Sequence, residues 1–256
     1  MFGRGHLQLP LGSFNPYLLN LLSRIYNKTA NKIAKVALSF EAISYAQEGE
    51  DLILKRFFED EKTGFYVDVG AHHPKRFSNS YLFYRQGWHG INIDAMPGSS
   101  RAFEKMRPRD CNLELAVSLR EGPRKFYIFD EPALNTFDPS LIPSRLGRGY
   151  SIIDEKIVTT ATLSNILEKY CPPSQTINFL SVDVEGLDLE ALKSNDWKRF
   201  RPQLVLTECL STSLDDAQKG ELYEFMVGLN YKLFAKTLNT FFFADALLPR
   251  FRSSHS

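Results

Sequence analysis

Five acidic residues stand where short apolar runs of this chain end: Asp68, Asp94, Asp183, Glu185 and Glu208. A carboxylate in such a place can accept hydrogen bonds from ligand hydroxyls, take up a proton, or help hold a divalent cation. Asp also caps helices and opens turns, and that plainer role claims some of the five. Two runs are the most informative, Phe65-Tyr-Val-Asp-Val-Gly-Ala71 and Gly90-Ile-Asn-Ile-Asp94. The first breaks into Gly70-Ala71, where backbone can approach a ligand closely. The second ends in Asp94, placed to accept hydrogen bonds from a ribose. Together they describe a nucleoside held at the carboxyl ends of neighbouring parallel strands. His72 and His73 follow in the first loop. His72 has the right side chain for a general base, and a surface or loop-bonding role is the alternative.

The elements that must position these residues alternate strand and helix. Phe65–Val69, Ile91–Ile93, Leu113–Val117, Gly122–Phe129, Lys156–Thr160, Ile177–Val184 and Gln203–Thr207 read as strands, most of them β-branched or apolar runs without strict alternation, as in sheets covered on both faces. Helices are predicted over 79–86, 99–106, 163–170 (N-cap Thr162), 188–193 and 221–229. Tyr231–Ala235 and Thr240–Ala244 read as a closing antiparallel pair. The expectation is a doubly wound, seven-stranded Rossmann-like α/β sheet with one antiparallel strand. Residues 130–150, rich in Pro and Gly, read as an irregular lid. Residues 1–43 form a separate basic extension, and 44–256 the main domain. Leu18, Leu22, Ile25, Ile33 and Val36 fall near one face of a helix in that extension. Such a helix packs on its own domain, self-associates, or lies on a membrane surface.

A dinucleotide site usually shows GxGxxG after the first strand, because a pyrophosphate needs close backbone. Here the turn is Gly70-Ala-His-His-Pro-Lys-Arg76, with one glycine, and no GxxxxGK[ST] loop exists. A nucleoside without a buried pyrophosphate is therefore expected, and S-adenosylmethionine fits. Its ribose would meet Asp94, its adenine Ala95, Met96 and Ser118, and its amino-acid end Asp68, Gly70 and Ala71. Asp183, ending the strand beside the first, would lie nearest the methyl group. Glu185 and Glu208 would orient the acceptor or serve as base.

Tyr45-Ala-Gln-Glu-Gly-Glu-Asp51, Tyr66-Val-Asp-Val-Gly-Ala-His-His73, Ile91-Asn-Ile-Asp94, Asn135-Thr136, Phe179-Leu-Ser-Val-Asp-Val-Glu-Gly186 and Asn239-Thr-Phe-Phe242 together resemble FkbM-type methyltransferases, over roughly residues 44–245. The resemblance implies a class I S-adenosylmethionine fold and O-methylation, often of a sugar hydroxyl in a glycan, nucleotide sugar or natural product. The family's opening motif usually begins Ser-Gln, where this chain has Ala46-Gln47. Asp183 with Glu208 also resembles the oxygen-rich pair that holds Mg²⁺ in metal-dependent O-methyltransferases, so Mg²⁺ stays open as a cofactor. Lys75, Arg76, Arg145 and Arg148 would either engage an anionic acceptor or form a solvated rim.

Composition bounds the rest. The chain has 256 residues, 43% hydrophobic, with 20 Phe and 11 Tyr, ample for a large core. A net charge of +1 lacks the broad basic surface that nucleic acid requires. Cys111, Cys171 and Cys209 form no CxxC pair and read as thiols of a reducing compartment. No run approaches the ~18 apolar residues of a membrane span, and no secretory signal is legible, so a cytoplasmic location is expected. Two other classes stay in view: a non-catalytic S-adenosylmethionine-binding scaffold, and a nicotinamide-dependent sugar dehydrogenase, against which the single glycine counts.

Overall fold

The computed structural model describes residues 24–29, 41–210 and 213–251. The chain divides into two units, Met1–Ile43 and Ser44–Ser256. Of the predicted N-terminal helix, residues 24–29 are helical, and the remainder lies outside the described residues.

In the second unit, a seven-stranded sheet has the order β3-β2-β1-β7-β8-β10-β9. Its strands are β1 (Phe65–Val69), β2 (His89–Asp94), β3 (Cys111–Glu114), β7 (Phe179–Val182), β8 (Leu204–Glu208), β9 (Tyr231–Lys236) and β10 (Thr240–Asp245). β1, β2, β3, β7 and β8 pair in parallel, and β10 runs antiparallel to both β8 and β9. The single reversed strand is thus β10, in the doubly wound class I methyltransferase order. Strand order changes direction at β1, so the crevice for a ligand opens past the carboxyl ends of β1, β2 and β7.

Every residue of β1 is buried, which explains the missing alternation. Period two still sorts the faces. Phe65, Val67 and Val69 join Ile91, Ile93, Leu180 and Val182 under α5 (Leu163–Tyr170), α6 (Asp188–Lys193) and α7 (Glu221–Gly228). Tyr66 faces the other way, with Phe179, Leu204, Leu206 and Phe242, beneath α1 (Glu50–Phe57) and α2 (Tyr81–Arg85). Thr162 caps α5, its hydroxyl accepting from the Asn165 amide at 3.2 Å, as its sequence position predicts.

Three sequence expectations need correction. The run 113–117 is not one strand: β3 ends at Glu114, and Ala116–Val117 is β4 of a second sheet, order β4-β6-β5. The break falls at Leu115, whose amide donates to the Asp94 carbonyl while the chain crosses between sheets. β6 spans Ile152–Ala161, longer than the predicted 156–160, and pairs along its length with β5 (Gly122–Phe129). Its polar start, Asp154-Glu-Lys156, is stabilised by the ladder rather than by burial. Residues 130–150 are also not irregular throughout. They hold 3₁₀ turns at Pro132–Leu134 and Pro139–Leu141 and α4 at Ile142–Gly147. Each starts with a proline in its first turn, where the missing N–H costs nothing.

Beneath the crevice lies a buried polar network. Arg107, at the C-terminal end of α3 (Ser100–Met106), is fully buried and pairs with Asp110 at 2.8 Å. It also donates to the Tyr66 hydroxyl (2.7 Å) and the Ser80 hydroxyl (2.9 Å), and Ser80 in turn donates to Asp68. Asp110 accepts from the Gly90 amide and from Asn92. Removing one partner of a buried pair leaves an uncompensated charge and costs about 3–5 kcal/mol. Arg107→Ala is expected to lower unfolding free energy by about that amount, read as a lower urea midpoint. A loss under about 1 kcal/mol, the size of an exposed ion pair, would show that the network is dispensable.

Candidate functional site

A cavity of about 370 Å³ opens past the ends of β1, β2 and β7. That size lies in the range of small-molecule and cofactor sites. Its floor is the β1 turn. Gly70 has φ +78°, and a Cβ there would sit 1.7 Å from the Asp183 carbonyl oxygen, so only glycine fits. The Gly70 and Ala71 amides both donate to the Ile93 carbonyl (2.9 and 3.1 Å), binding the β1 turn to the end of β2.

Asp94 ends β2 in the cavity wall. It accepts from the His72 and Met96 amides, both at 2.8 Å. Burial pushes its carboxyl above the usual range, opposed by those two N–H groups. Beside it the wall is apolar, with Met96, Leu115, Val117, Phe126 and Phe137. Phe126 of β5 and Phe137 of the 130–150 segment contact each other at 4.5 Å between ring centroids. Asn135 fixes that segment, accepting from the Phe129 amide at 2.8 Å and placing its side-chain amide beside the Met96 sulfur.

The opposite end is acidic, lined by Glu50, Asp183 and Glu185. Asp183 opens to the cavity while protein surrounds it. Burial, with Asp68 and Glu50 nearby, pushes it up to about 6, against the Glu185 backbone N–H that donates to it. Burial and the charges of Asp183 and Glu208 push Glu185 up to about 9, against the attraction of Arg145. Glu208 is pushed up to about 7 by burial and Asp183. Arg145, on α4, donates to Glu185 and to the Leu134 carbonyl. The Glu185 backbone sits at φ 55°, and its carbonyl accepts from the Thr136 hydroxyl at 3.0 Å. His72 (φ 53°) and Phe77 (φ 56°) are further left-handed non-glycine residues on the cavity wall. Such strain, about 1–3 kcal/mol per residue, persists where surrounding contacts enforce it and gathers at functional sites. His72 is held below its ordinary value by burial, Arg76 and His73, which keeps its imidazole neutral near pH 7.

The structure thus brings together Gly70, His72, Asp94, Ala95, Met96, Asp183 and Glu185 of the predicted residues. Others lie elsewhere. The pleat turns Asp68 to the Tyr66 face, where it accepts from Ser80 in the Arg107 network and does not line the cavity. Ala71 is buried under the turn. Ser118 lies just past β4, its hydroxyl donating to Glu190, and Ala116 and Val117 take the predicted place against the cavity. Glu208 stands behind Asp183 rather than on the wall. Among the described residues no three His, Cys, Asp or Glu side chains converge as metal ligands, so the Asp183–Glu208 pair gains no third one.

Gln47, Glu50, Asn79, Asn135 and Thr240 line the cavity and were not singled out from the sequence as site residues. The signal was present for most: Gln47 and Glu50 lie in Tyr45–Asp51, Asn135 in Asn135-Thr136, and Thr240 in Asn239–Phe242. Glu50 accepts from the Thr237 and Thr240 hydroxyls (3.2 and 3.3 Å), and Glu48 from the backbone and side-chain amides of Asn239 (2.9 and 2.6 Å). These bonds draw the start of α1 and the β9–β10 turn into one wall.

Glu208 has a direct stability consequence. Its folded value lies above its unfolded one, so the native state holds the extra proton between about 4.5 and about 7. Stability from this group is present at pH 4 and is lost as pH rises through 7. Glu208→Gln keeps the neutral shape and is expected to raise stability at pH 8 by on the order of 1–3 kcal/mol, with little gain at pH 5. Thermal melts at the two pH values check this, and an equal shift at both would contradict the assignment.

Residues 68–233 match the family model described as the Methyltransferase FkbM domain. No curated protein matches the chain. Solved structures to which it is similar include a TehB-like SAM-dependent methyltransferase from Corynebacterium glutamicum (10% identity, TM-score 0.39, covering 88% of this chain and 99% of that one). Another is an O-methyltransferase from Bacillus cereus in complex with SAH (9% identity, TM-score 0.41, 85% and 89% covered). Both likenesses are remote, and the fold rests on the strand order itself.

Proposed function

The chain belongs to the FkbM methyltransferase family, and from that premise we propose that it is an S-adenosylmethionine-dependent O-methyltransferase acting on a sugar hydroxyl. The observation that carries the reading is the pairing of Gly70 and Asp94 across β1 and β2 at the mouth of one cavity, with Asp183 at the neighbouring strand end. Asp94, fixed by two backbone N–H groups, keeps free lone pairs for the hydroxyls of a ribose. The apolar wall of Met96, Leu115, Val117 and Phe126 suits a purine, and backbone at Gly70 leaves room for the amino-acid tail. S-adenosylmethionine supplies an electrophilic methyl group when bound.

The chain's own residues supply position and proton transfer. A hydroxyl becomes a competent nucleophile as its proton is drawn off, and a positioned base contributes about 10²–10⁴-fold. Asp183, with its value near 6, is mostly ionised at pH 7 and opens to the cavity, so it is assigned as the base. Glu185, pushed up by burial and the neighbouring acids, is held by the Arg145 guanidinium that donates to it, so it is committed to that pair rather than free to act as base. His72 is a neutral imidazole on the same wall and the second proton acceptor within the site.

Calorimetric titration with S-adenosylhomocysteine tests the donor half. Asp94→Ala is expected to weaken binding by about 1–3 kcal/mol, the scale of hydrogen bonds to a charged group, and a folded wild-type protein that takes up none of it refutes the reading. For the base, kcat/KM should fall as pH drops below about 6. Asp183→Asn should lower kcat by about 10²–10⁴-fold and abolish that limb. A limb unchanged in the variant would transfer the role to His72.

A further inference from the structure

The charge of the same cavity points to the kind of acceptor, an argument that rests on the donor reading above. Glu50, Asp183 and Glu185 line one end. Glu208 interacts with Asp183 and with Glu48, so five carboxyl groups gather there. One guanidinium faces them, and it is already committed. Arg145 is 6% exposed and bonded to Leu134 and Glu185. Arg76, on the cavity wall, pairs with Glu131 at 3.1 Å. Of the four cations that the sequence offered to an anionic acceptor, Arg76 and Arg145 are therefore bound to the protein's own acids, and Lys75 and Arg148 do not line the cavity. A donor of net charge +1 offsets one carboxylate, and the excess remains negative. Charges this close interact strongly in a partly dry site. Glu50 is 2% exposed overall, yet it borders the cavity, and neutral Thr237, Thr240 and the Glu48 amide are its donors.

We propose that the acceptor is an amine-bearing polyol, its protonated amine seated against Glu50 beside the hydroxyl that is methylated, and that phosphorylated and uronic acceptors are turned away. A neighbouring carboxylate keeps the amine protonated, and a protonated amine has no lone pair to react. The hydroxyl is then the nucleophile. Its oxygen bonds the methyl carbon as the carbon–sulfur bond breaks, the electron pair leaves on sulfur, and the proton passes to Asp183.

Binding of three matched probes to the S-adenosylhomocysteine complex of the full chain tests this: methyl glucosaminide, methyl glucoside and methyl glucuronide, by calorimetry at low salt. The expected order is amine, neutral, carboxylate, with at least tenfold between the first and last. Glu50→Gln should compress that span to within threefold. Equal or tighter glucuronide binding, no binding of the glucosaminide, or an unchanged span in a folded Glu50→Gln protein overturns the proposal. Should that variant fail to fold, the wild-type ranking, and its flattening at high salt, decides alone. Failure of S-adenosylhomocysteine itself to bind sinks the donor reading instead.

Discussion

The site hangs on one guanidinium. Arg107 lies in the interior with no exposure, and its donors reach Asp110, Tyr66, Ser80 and Ser78. Asp110 then holds the Gly90 amide at the start of β2, while Ser80 holds Asp68 on β1. A buried ion must have its partners arranged around it, so this network tolerates one relative placement of β1, β2 and the entry to α2. That placement sets the parallel register Val69↔Ile93, which puts the Gly70 turn against the end of β2 and Asp94 beside it. The Asp94 end of the cavity is a consequence of an ion pair that never touches it.

The other end obeys an opposite constraint. A chain with a net charge of +1 concentrates carboxyl groups at the ends of β7 and β8 and along the start of α1. Burial and mutual repulsion push Asp183, Glu185 and Glu208 up, each to a different value. Environments that separate like groups in this way divide the labour of proton transfer among them. The loop that carries Asp183 and Glu185 is kept in place at several points. The Asp188 carboxylate takes the Val184 and Gly186 amides, Thr136 takes the Glu185 carbonyl, and Arg145 takes its carboxylate. A left-handed Glu185 is stable only because those contacts over-determine it.

Much of this was legible beforehand. The apolar run at Phe65 and the one at Gly90 announced buried parallel strands, because covering both faces removes alternation whatever the neighbours are. The single glycine in Gly70–Arg76 excluded a pyrophosphate cradle on local sterics alone. What failed, failed for non-local reasons. Nothing in Leu113–Val117 marks Leu115 as a crossing between two sheets, since Leu113, Leu115 and Val117 continue one alternating apolar pattern through the break. Asp154-Glu155, just before the predicted strand Lys156–Thr160, joins it only because β5 pairs with it.

Sequence by itself determined which residue types stand at the strand ends: a single glycine after β1 and acids at the ends of β2, β7 and β8. Those conclusions are local: a turn's glycine and an acid's position depend on neighbours a few residues away. Tertiary structure alone decided which of those acids face the cavity. Asp68 is taken by Ser80 of the Arg107 network and Ser118 by Glu190, while Glu50 and Thr240 arrive from distant segments to form the far wall. The reason is that a side chain's role follows from what is packed against it. Partners separated by tens to nearly two hundred residues meet only when the sheet is assembled.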